Sequence, residues 1–394
     1  MAPGVKTTSE HGDRIWRGKD VDVTMLEGHL TDLWKTLARK KDMQPVRTHI
    51  FNLVVYVGEH AHAHRILDSL NALGQLHPSR TVVLIADLNK TESTIDAEVI
   101  LRADSSQSIS VCHEQVLLTV HGRAADHLSS VVIPLVLPEL PTYLWWPGQP
   151  LFGHRMFHRL LSSADHLVVD SAQFESPGDS LADLARLCTG PHGVTDFNWA
   201  RLTPWREIIT QFFDGERMLQ HVRHIQSMRL EFGKGGGSQG EVTSSVLLLL
   251  GWMANQLDWV PDTTLDRPAQ NGVTLSVLQR ERRIPIDLVF REHGPDNACR
   301  LMNIEIRSKP PGSTPAVFRV SRSSDLQHVR TSIKVGDETE ISRVLPLEVR
   351  DDVELLAAEL EITGQDNLYD AVVASASRMA GRETWNPGGM GTHR

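Results

Sequence analysis

Apolar and polar positions along the first half of the chain follow two alternating periods. Between Val21 and Arg39, Leu26, Leu30, Leu33, Trp34 and Leu37 line one side of a predicted helix. The Val- and Ile-rich run 48–57 (THIFNLVVYV) predicts a strand. The stretch 63–76 returns to helical spacing through Ile66, Leu67, Leu70 and Leu73, with Gly74 near its end, and 81–86 (TVVLIA) predicts a second strand, apolar throughout. A strand without alternation suits a parallel sheet covered on both faces, and strand, helix, strand over about 40 residues predicts a right-handed βαβ unit. Further strands are expected at 97–102, 109–120, 142–146 and 166–170, and helices at 124–137, 154–163, 180–188 and 204–213. Leu181, Leu184, Ala185 and Cys188 share one face of the third helix, which makes Cys188 a buried, inert thiol. The fourth helix has Thr203 as its expected N-cap and Pro204 at N1, where a missing N–H costs nothing. Trp205, Ile208, Ile209 and Phe212 then repeat along it.

The second half changes character near 214–240. Residues 218–232 read as a strand opening a new domain, a glycine-rich stretch follows, and a helix over 243–257 is expected with Thr243 as its cap. Short alternating strands are predicted at 273–280, 284–290, 300–307, 316–321, 327–335 and 340–347, then helices at 351–361 and 365–379. Strands in a run followed by helices in a run argue for an α+β domain. The expected organisation is a disordered tail over 1–20, an α/β domain with a largely parallel sheet over 21–215, an α+β domain rich in antiparallel strands over 216–380, and a flexible tail over 381–394.

Charge and cysteine content narrow the functional classes. The formal net charge of -9 disfavours a general nucleic-acid binder, which needs a basic footprint to displace counterions. The densest basic run, Arg280-Glu281-Arg282-Arg283, reads as a solvated strand end. Three cysteines, Cys112, Cys188 and Cys299, lie far apart and suggest reduced thiols in a cytoplasmic protein. The polar N-terminus does not resemble a signal peptide. The greasy stretches Val131 to Trp146 and Val246 to Leu257 are proline-broken or too short for a bilayer, so both read as core and no membrane association is expected.

Candidate chemistry is thin. His60 and His64 stand at i and i+4 and could share a metal, yet no cysteine or carboxylate cluster accompanies them beyond Glu59, so solvated histidines are the better reading and no metal is expected. The first strand-to-helix turn, Gly58-Glu59-His60-Ala61-His62-Ala63, has one glycine and an acid where a dinucleotide site needs G-x-G-x-x-G. The stretch from Gly233 to Gly240 (GKGGGSQG) precedes a helix and could cradle phosphate, but it lacks the G-K-[ST] ending, so a flexible linker is preferred. No G-x-S-x-G elbow appears, and neither catalytic residues nor cofactors are assigned. The densest feature is aromatic and proline-rich, between 134 and 213. Its doublet Trp145-Trp146 points to opposite faces of a strand, so one ring is expected in the core and the other outside.

Several of these segments resemble the OpcA family. They are His77-Pro78-Ser79-Arg80, Cys112-His113-Glu114-Gln115-Val116, the run 129–147 (SSVVIPLVLPELPTYLWWP) and 196–206 (DFNWARLTPWR), in matching order and spacing over 48–215. The second half is similar more loosely, through 248–257 (LLLGWMANQL). The resemblance implies a non-catalytic assembly protein and allosteric activator of glucose-6-phosphate dehydrogenase, at the head of the oxidative pentose phosphate pathway. It also implies membership of a family found in actinobacteria and cyanobacteria. Some photosynthetic relatives respond to redox state through cysteines, but this chain has no close cysteine pair to carry that. Trp145, Trp146, Trp199, Trp205 and Arg206 are the expected partner-binding residues, with Arg206 the exposed one. The alternative is a sensor or enzyme that binds a phosphorylated metabolite through the 233–240 loop or the His60–His64 turn.

Overall fold

The computed structural model describes residues 8–10, 13–39, 44–58, 60–87, 91–103, 109–233, 242–263, 265, 272–291, 300–348, 350–360 and 364–382. In chain order the elements are β1 (Thr8–Glu10), β2 (Asp13–Gly18), α1 (Leu26–Ala38), β3 (Gln44–Val46), β4 (Phe51–Val57), α2 (His60–Leu76), β5 (Ser79–Asp87), β6 (Ile95–Ala103) and β7 (Ile109–His121). Then come α3 (Leu128–Val132), β8 (Thr142–Trp146), α4 (Arg155–Leu161), β9 (His166–Val169), α5 (Pro177–Cys188), β10 (Gly193–Asp196), α6 (Phe197–Arg201), α7 (Thr203–Gln211) and α8 (Glu216–Val222). The remainder is β11 (Ile225–Gly233), α9 (Ser244–Leu257), β12 (Trp259–Pro261), β13 (Gly272–Gln279), β14 (Arg282–Arg291), β15 (Leu301–Ser308), β16 (Ala316–Arg322), β17 (His328–Val335), β18 (Ile341–Pro346), α10 (Asp352–Leu360) and α11 (Asn367–Met379).

Two compact units emerge. The first comprises Met1–Asp170, Pro191–Thr195 and Asp351–Gln365; the second comprises Ser171–Gly190, Asp196–Arg350 and Asp366–Arg394. The chain therefore passes between units several times, and the expected boundary near 214–240 lies inside the second. Local periodicity cannot show this, because membership depends on which distant surface each helix covers. Phe212 and Phe213, at the end of α7, pack on Phe318 of β16, which ties α7 to the second unit. Helix α10 packs on α2 of the first unit instead of closing the second.

The first unit is built on a mixed sheet in the order β1-β2-β6-β7-β5-β4-β8-β9-β10, with β3 on β7. Its centre is parallel: β4 pairs with β5 and β8, β5 with β7, and β8 with β9. The antiparallel strands β6, β2 and β1 extend one side. β4 is buried on every residue, as its unbroken apolar run predicts. The N-terminal stretch corrects the expectation of a disordered tail. β2 pairs with β6, Ile15 and Trp16 are buried, and Trp16 stacks on His29 of α1 at 3.9 Å. Two apolar residues among charges suffice once an open sheet edge is available to order them. The helix expected at 124–137 is likewise corrected. It breaks into a 3-10 turn, the five-residue α3 and a second 3-10 turn carrying Pro134, because proline cannot donate to the preceding turn.

The second unit carries a sheet in the order β12-β13-β14-β11-β15-β16-β17-β18, antiparallel except where β11 meets β14. The central strands alternate, with the pairing of β11 and β15 interrupted by two register shifts. Met228, Leu230, Ile286, Leu288, Ile304, Ile306, Phe318 and Val320 are buried on one face, while the residues between them point to an open, charged face. The expected strand over 218–232 is split. Residues 216–222 form α8, and only Ile225 onward joins the sheet. Thr243 stands at the N-cap of α9 as expected, without a side-chain hydrogen bond, whereas Thr203 is the first residue of α7, with Leu202 at the cap. α9 is apolar on all sides and buried accordingly. It crosses α11 so closely that a Cβ on Gly251 would stand 2.5 Å from the Val372 carbonyl oxygen and 2.8 Å from the Ala376 nitrogen. Backbone atoms cannot rotate away, so Gly251→Ala is expected to cost about 1–3 kcal/mol by overpacking. Chemical denaturation should show a lower midpoint, and an unchanged midpoint would refute the close crossing.

Candidate functional site

The family-like segments in the first unit converge on one buried ionic node. Arg80 is the second residue of β5 and Glu114 lies beside it on β7, in register. Both are buried, at 2% and 0% exposure, where an unpaired charge would be very costly. Arg80 donates Nε to Glu114 Oε2 at 2.8 Å and Nη1 to Glu27 Oε2 at 3.0 Å and to the Leu135 carbonyl at 3.2 Å. Glu114 Oε1 accepts from Arg47 Nε at 2.8 Å and from Trp34 Nε1 at 2.6 Å. The node thus fastens α1 and the segment after α3 to the sheet. Burial raises the Glu114 carboxyl, but Arg80, His49 and Arg47 together hold it below the ordinary carboxylate range. On the opposite side of β7, His113 is buried against Gly74 of α2, and burial, aided by Arg102, lowers its pKa to about 4. Its imidazole is therefore neutral at physiological pH. Cys112 is buried too, its thiol pushed up to about 11 by burial and by Glu114, which makes it a poor nucleophile.

The strand order reverses direction between β4 and β8, the place where open α/β sheets tend to bind ligands. At the carboxyl ends of these two strands Tyr56 and Trp146 stack at 3.9 Å, and Phe157 of α4 meets Trp146 edge-on at 5.2 Å. Trp146 Nε1 donates to the Gln149 carbonyl. Trp145 and Trp146 are both 2% exposed, which corrects the expectation that one ring faces outward. β8 is an interior strand covered on both faces, so alternation sends each ring into a different part of the same core.

A second node lies in the other unit, at the DFNW segment. Asp196 caps α6 and accepts four hydrogen bonds: from the Ser171 and Asn198 backbone N–H groups, both at 2.9 Å, from Ser171 Oγ at 2.6 Å, and from the Tyr369 hydroxyl at 3.0 Å. Asn198 bridges Ser171 and Ser245. Burial, then Asp196, holds the Tyr369 phenol well above its usual range, so it stays a donor. Next to this node the guanidinium of Arg206 lies 3.2 Å from the Trp199 ring centroid, and Trp199 Nε1 donates to Asp366 Oδ2 at 3.3 Å. Trp205 is buried elsewhere in the unit, with Arg322 5.4 Å from its ring centroid.

Of the five expected partner-binding residues, the structure brings together only Trp199 and Arg206. All four tryptophans are buried, so a partner cannot reach their rings in this conformation. Arg206 is half-buried, which lowers its pKa to about 10, and is not the exposed probe expected of it. The nodes around Glu114 and Asp196 were not expected as sites. The signal for Glu114 was a carboxylate in the middle of a long strand, where only pairing makes burial tolerable, and that for Asp196 was an acid at a strand end just before a helix, where it can cap.

The side chains of His60 and His64 lie outside the described residues, as does nearly all of the 233–240 loop. Among the described residues, no group of three or more His, Cys, Asp or Glu side chains could hold a metal ion. Cys188 is buried as expected, and burial drives its thiol strongly upward. The Arg280 to Arg282 run borders a cleft of about 910 Å³ in the second unit, together with Phe213, Arg223 and Trp252. No helix among the described residues is long and apolar enough to cross a membrane.

These features define a two-sheet α/β scaffold whose motif residues are bound up in its own interior. The model of a family described as the glucose-6-phosphate dehydrogenase subunit matches residues 70–186 with its N-terminal domain and residues 192–373 with its C-terminal domain. The chain belongs to this family, OpcA. An OxPP cycle protein OpcA from a Synechocystis species is 28% identical over 272 residues, covering 68% of this chain and 56% of that protein. Its namesake from Synechococcus elongatus is 24% identical over 327 residues, covering 78% and 70%. The chain thus spans little more than half the length of the Synechocystis relative. Both relatives are cyanobacterial and do not carry the actinobacterial membership that was expected. Among solved structures, a 3-ketoreductase from Actinomadura kijaniata is similar at 13% identity and a TM-score of 0.44, over 84% of this chain and 95% of that one. A likeness at that level says nothing of this chain's chemistry.

Proposed function

We propose that this chain is a cytoplasmic, non-catalytic assembly protein and allosteric activator of glucose-6-phosphate dehydrogenase, acting at the head of the oxidative pentose phosphate pathway. The observation that supports this reading is the match of both family domains across most of the chain. Stacked aromatic rings stand at the strand ends flanking the sheet's reversal, and the motif carboxylates are held by internal donors. Trp145, Trp146, Trp199, Trp205 and Arg206 would serve the complex from beneath, by holding the surfaces that touch the enzyme.

Activation by such a protein is a matter of differential binding. If the chain binds the active oligomer of the dehydrogenase more tightly than the inactive form, it shifts the population by that difference and no more. A tenfold preference corresponds to about 1.4 kcal/mol. The expected result is a lower KM, a higher kcat or a larger assembly when the purified chain is added to its cognate dehydrogenase, with the two co-eluting. Unchanged kinetics and separate elution of two folded proteins would refute the reading. In that event a thermal-shift screen of sugar phosphates would test the metabolite-binding alternative, at the Gly233–Gly240 loop or the His60–His64 turn.

A further inference from the structure

The open face of the second unit's sheet has a charge pattern opposite to that of the whole chain. On four adjacent strands, β11, β15, β16 and β17, its outward side chains include five cations, Arg229, Arg307, Arg319, Arg330 and Lys334, and two carboxylates, Glu231 and Glu305. That local excess of three positive charges stands on a chain of net charge -9. The carboxylates act as clamps. Glu305 accepts from Arg307 Nε and Arg319 Nε, both at 2.7 Å, and Glu231 accepts from Arg229 Nε at 3.0 Å. Because these bonds use Nε, the terminal nitrogens of Arg229 and Arg307 have no acceptor among the described residues, and both side chains are well exposed, at 41% and 59%. Arg330 and Lys334 are exposed without an ion pair among the described residues.

We propose that this face is the docking surface for a carboxylate-bearing face of a partner protein, namely the dehydrogenase of the function proposed above, on which this inference rests. An arginine whose stem is fixed by Nε has already lost its conformational freedom, and its planar fork is set to receive a carboxylate bidentately. Six strands, β14 to β18 with β11, at about 4.8 Å spacing and some seven residues long give a face of roughly 700 Å², near the 800 Å² per partner of a standard interface. The interleaved Glu231 and Glu305 would repel a phosphate backbone, and the acidic chain would oppose a polyanion at long range, so a protein fits better than nucleic acid. Charge steering of this kind makes the association fast and sensitive to salt.

The test measures the dissociation constant of the full-length chain for its dehydrogenase at low and at high salt. The variants are Arg330→Glu with Lys334→Glu, which leaves the clamps intact, Arg307→Lys, which keeps the charge but removes the fork, and the control Arg123→Glu, an exposed arginine of the first unit. The double reversal is expected to weaken binding by about 30-fold or more and to flatten the salt dependence. Arg307→Lys should weaken binding by several-fold, and Arg123→Glu should leave it unchanged. Circular dichroism and thermal unfolding must show each variant folded. A complex that tolerates the double reversal as well as the control overturns this docking face alone. Absence of any complex with the unaltered chain overturns the proposed function. Self-association of the chain, abolished by the double reversal, would give the face to a second copy and overturn the partner named here.

Discussion

Arg80→Ala is expected to cost about 3–5 kcal/mol, because it leaves Glu114 charged, fully buried and short of its main partner. For a unit of this size that corresponds to a fall in melting temperature of about 10 °C. Glu114→Ala should cost a similar amount by stranding Arg80. The double replacement Arg80→Met with Glu114→Leu should cost less than either single change, since both fully buried charges are gone and the part-exposed Arg47 and Glu27 can still pair with each other. Near-additive costs would mean that the two side chains act independently and would refute the node.

The same region sets an acid limit. His113 has its pKa lowered to about 4 from an ordinary 6.5, so between these values the unfolded chain binds a proton that the folded chain refuses. Stability therefore falls as pH drops through that window, by about 3 kcal/mol when complete. Glu114, held below the ordinary carboxylate range, adds a further loss as pH falls below about 4.5. Unfolding followed from pH 7 to pH 4 should show this slope, and His113→Gln should reduce it.

Asp196→Ala is expected to have a comparable effect in the second unit. It removes the acceptor of four donors, each buried or nearly so, and water can replace only part of it. A loss of about 3–5 kcal/mol follows, with the Tyr369 hydroxyl and the first turn of α6 left unsatisfied. Tyr369→Phe removes a single donor and should cost about 1 kcal/mol. Hydrogen exchange resolved by segment is the appropriate measurement, because two units need not unfold together. Protection should fall in α6 and α11 and persist in β5 and β7. A uniform loss across both units, or none in α11, would show that Asp196 does not join these elements.

Local pattern determined a good deal of this protein. The apolar runs of β4 and β5, the alternation along β14 to β16 and the all-round apolarity of α9 each follow from burial on two faces, one face or all sides, and each is visible in a window of a dozen residues. The lack of a glycine-rich turn after β4 is equally local, and the motif segments carried the family. Other features depended on partners far away in the chain. Trp34 meets Glu114 across 80 residues, and Tyr369 meets Asp196 across 173. β2 becomes a strand only because β6 offers an edge 81 positions on. Periodicity says which face of an element is apolar but not what covers it. Hence Trp146 could not be placed inside, nor α10 assigned to the first unit, from spacing alone. The charge pattern of the open sheet face is of the same kind, because its cations come from four strands that tertiary pairing alone sets side by side.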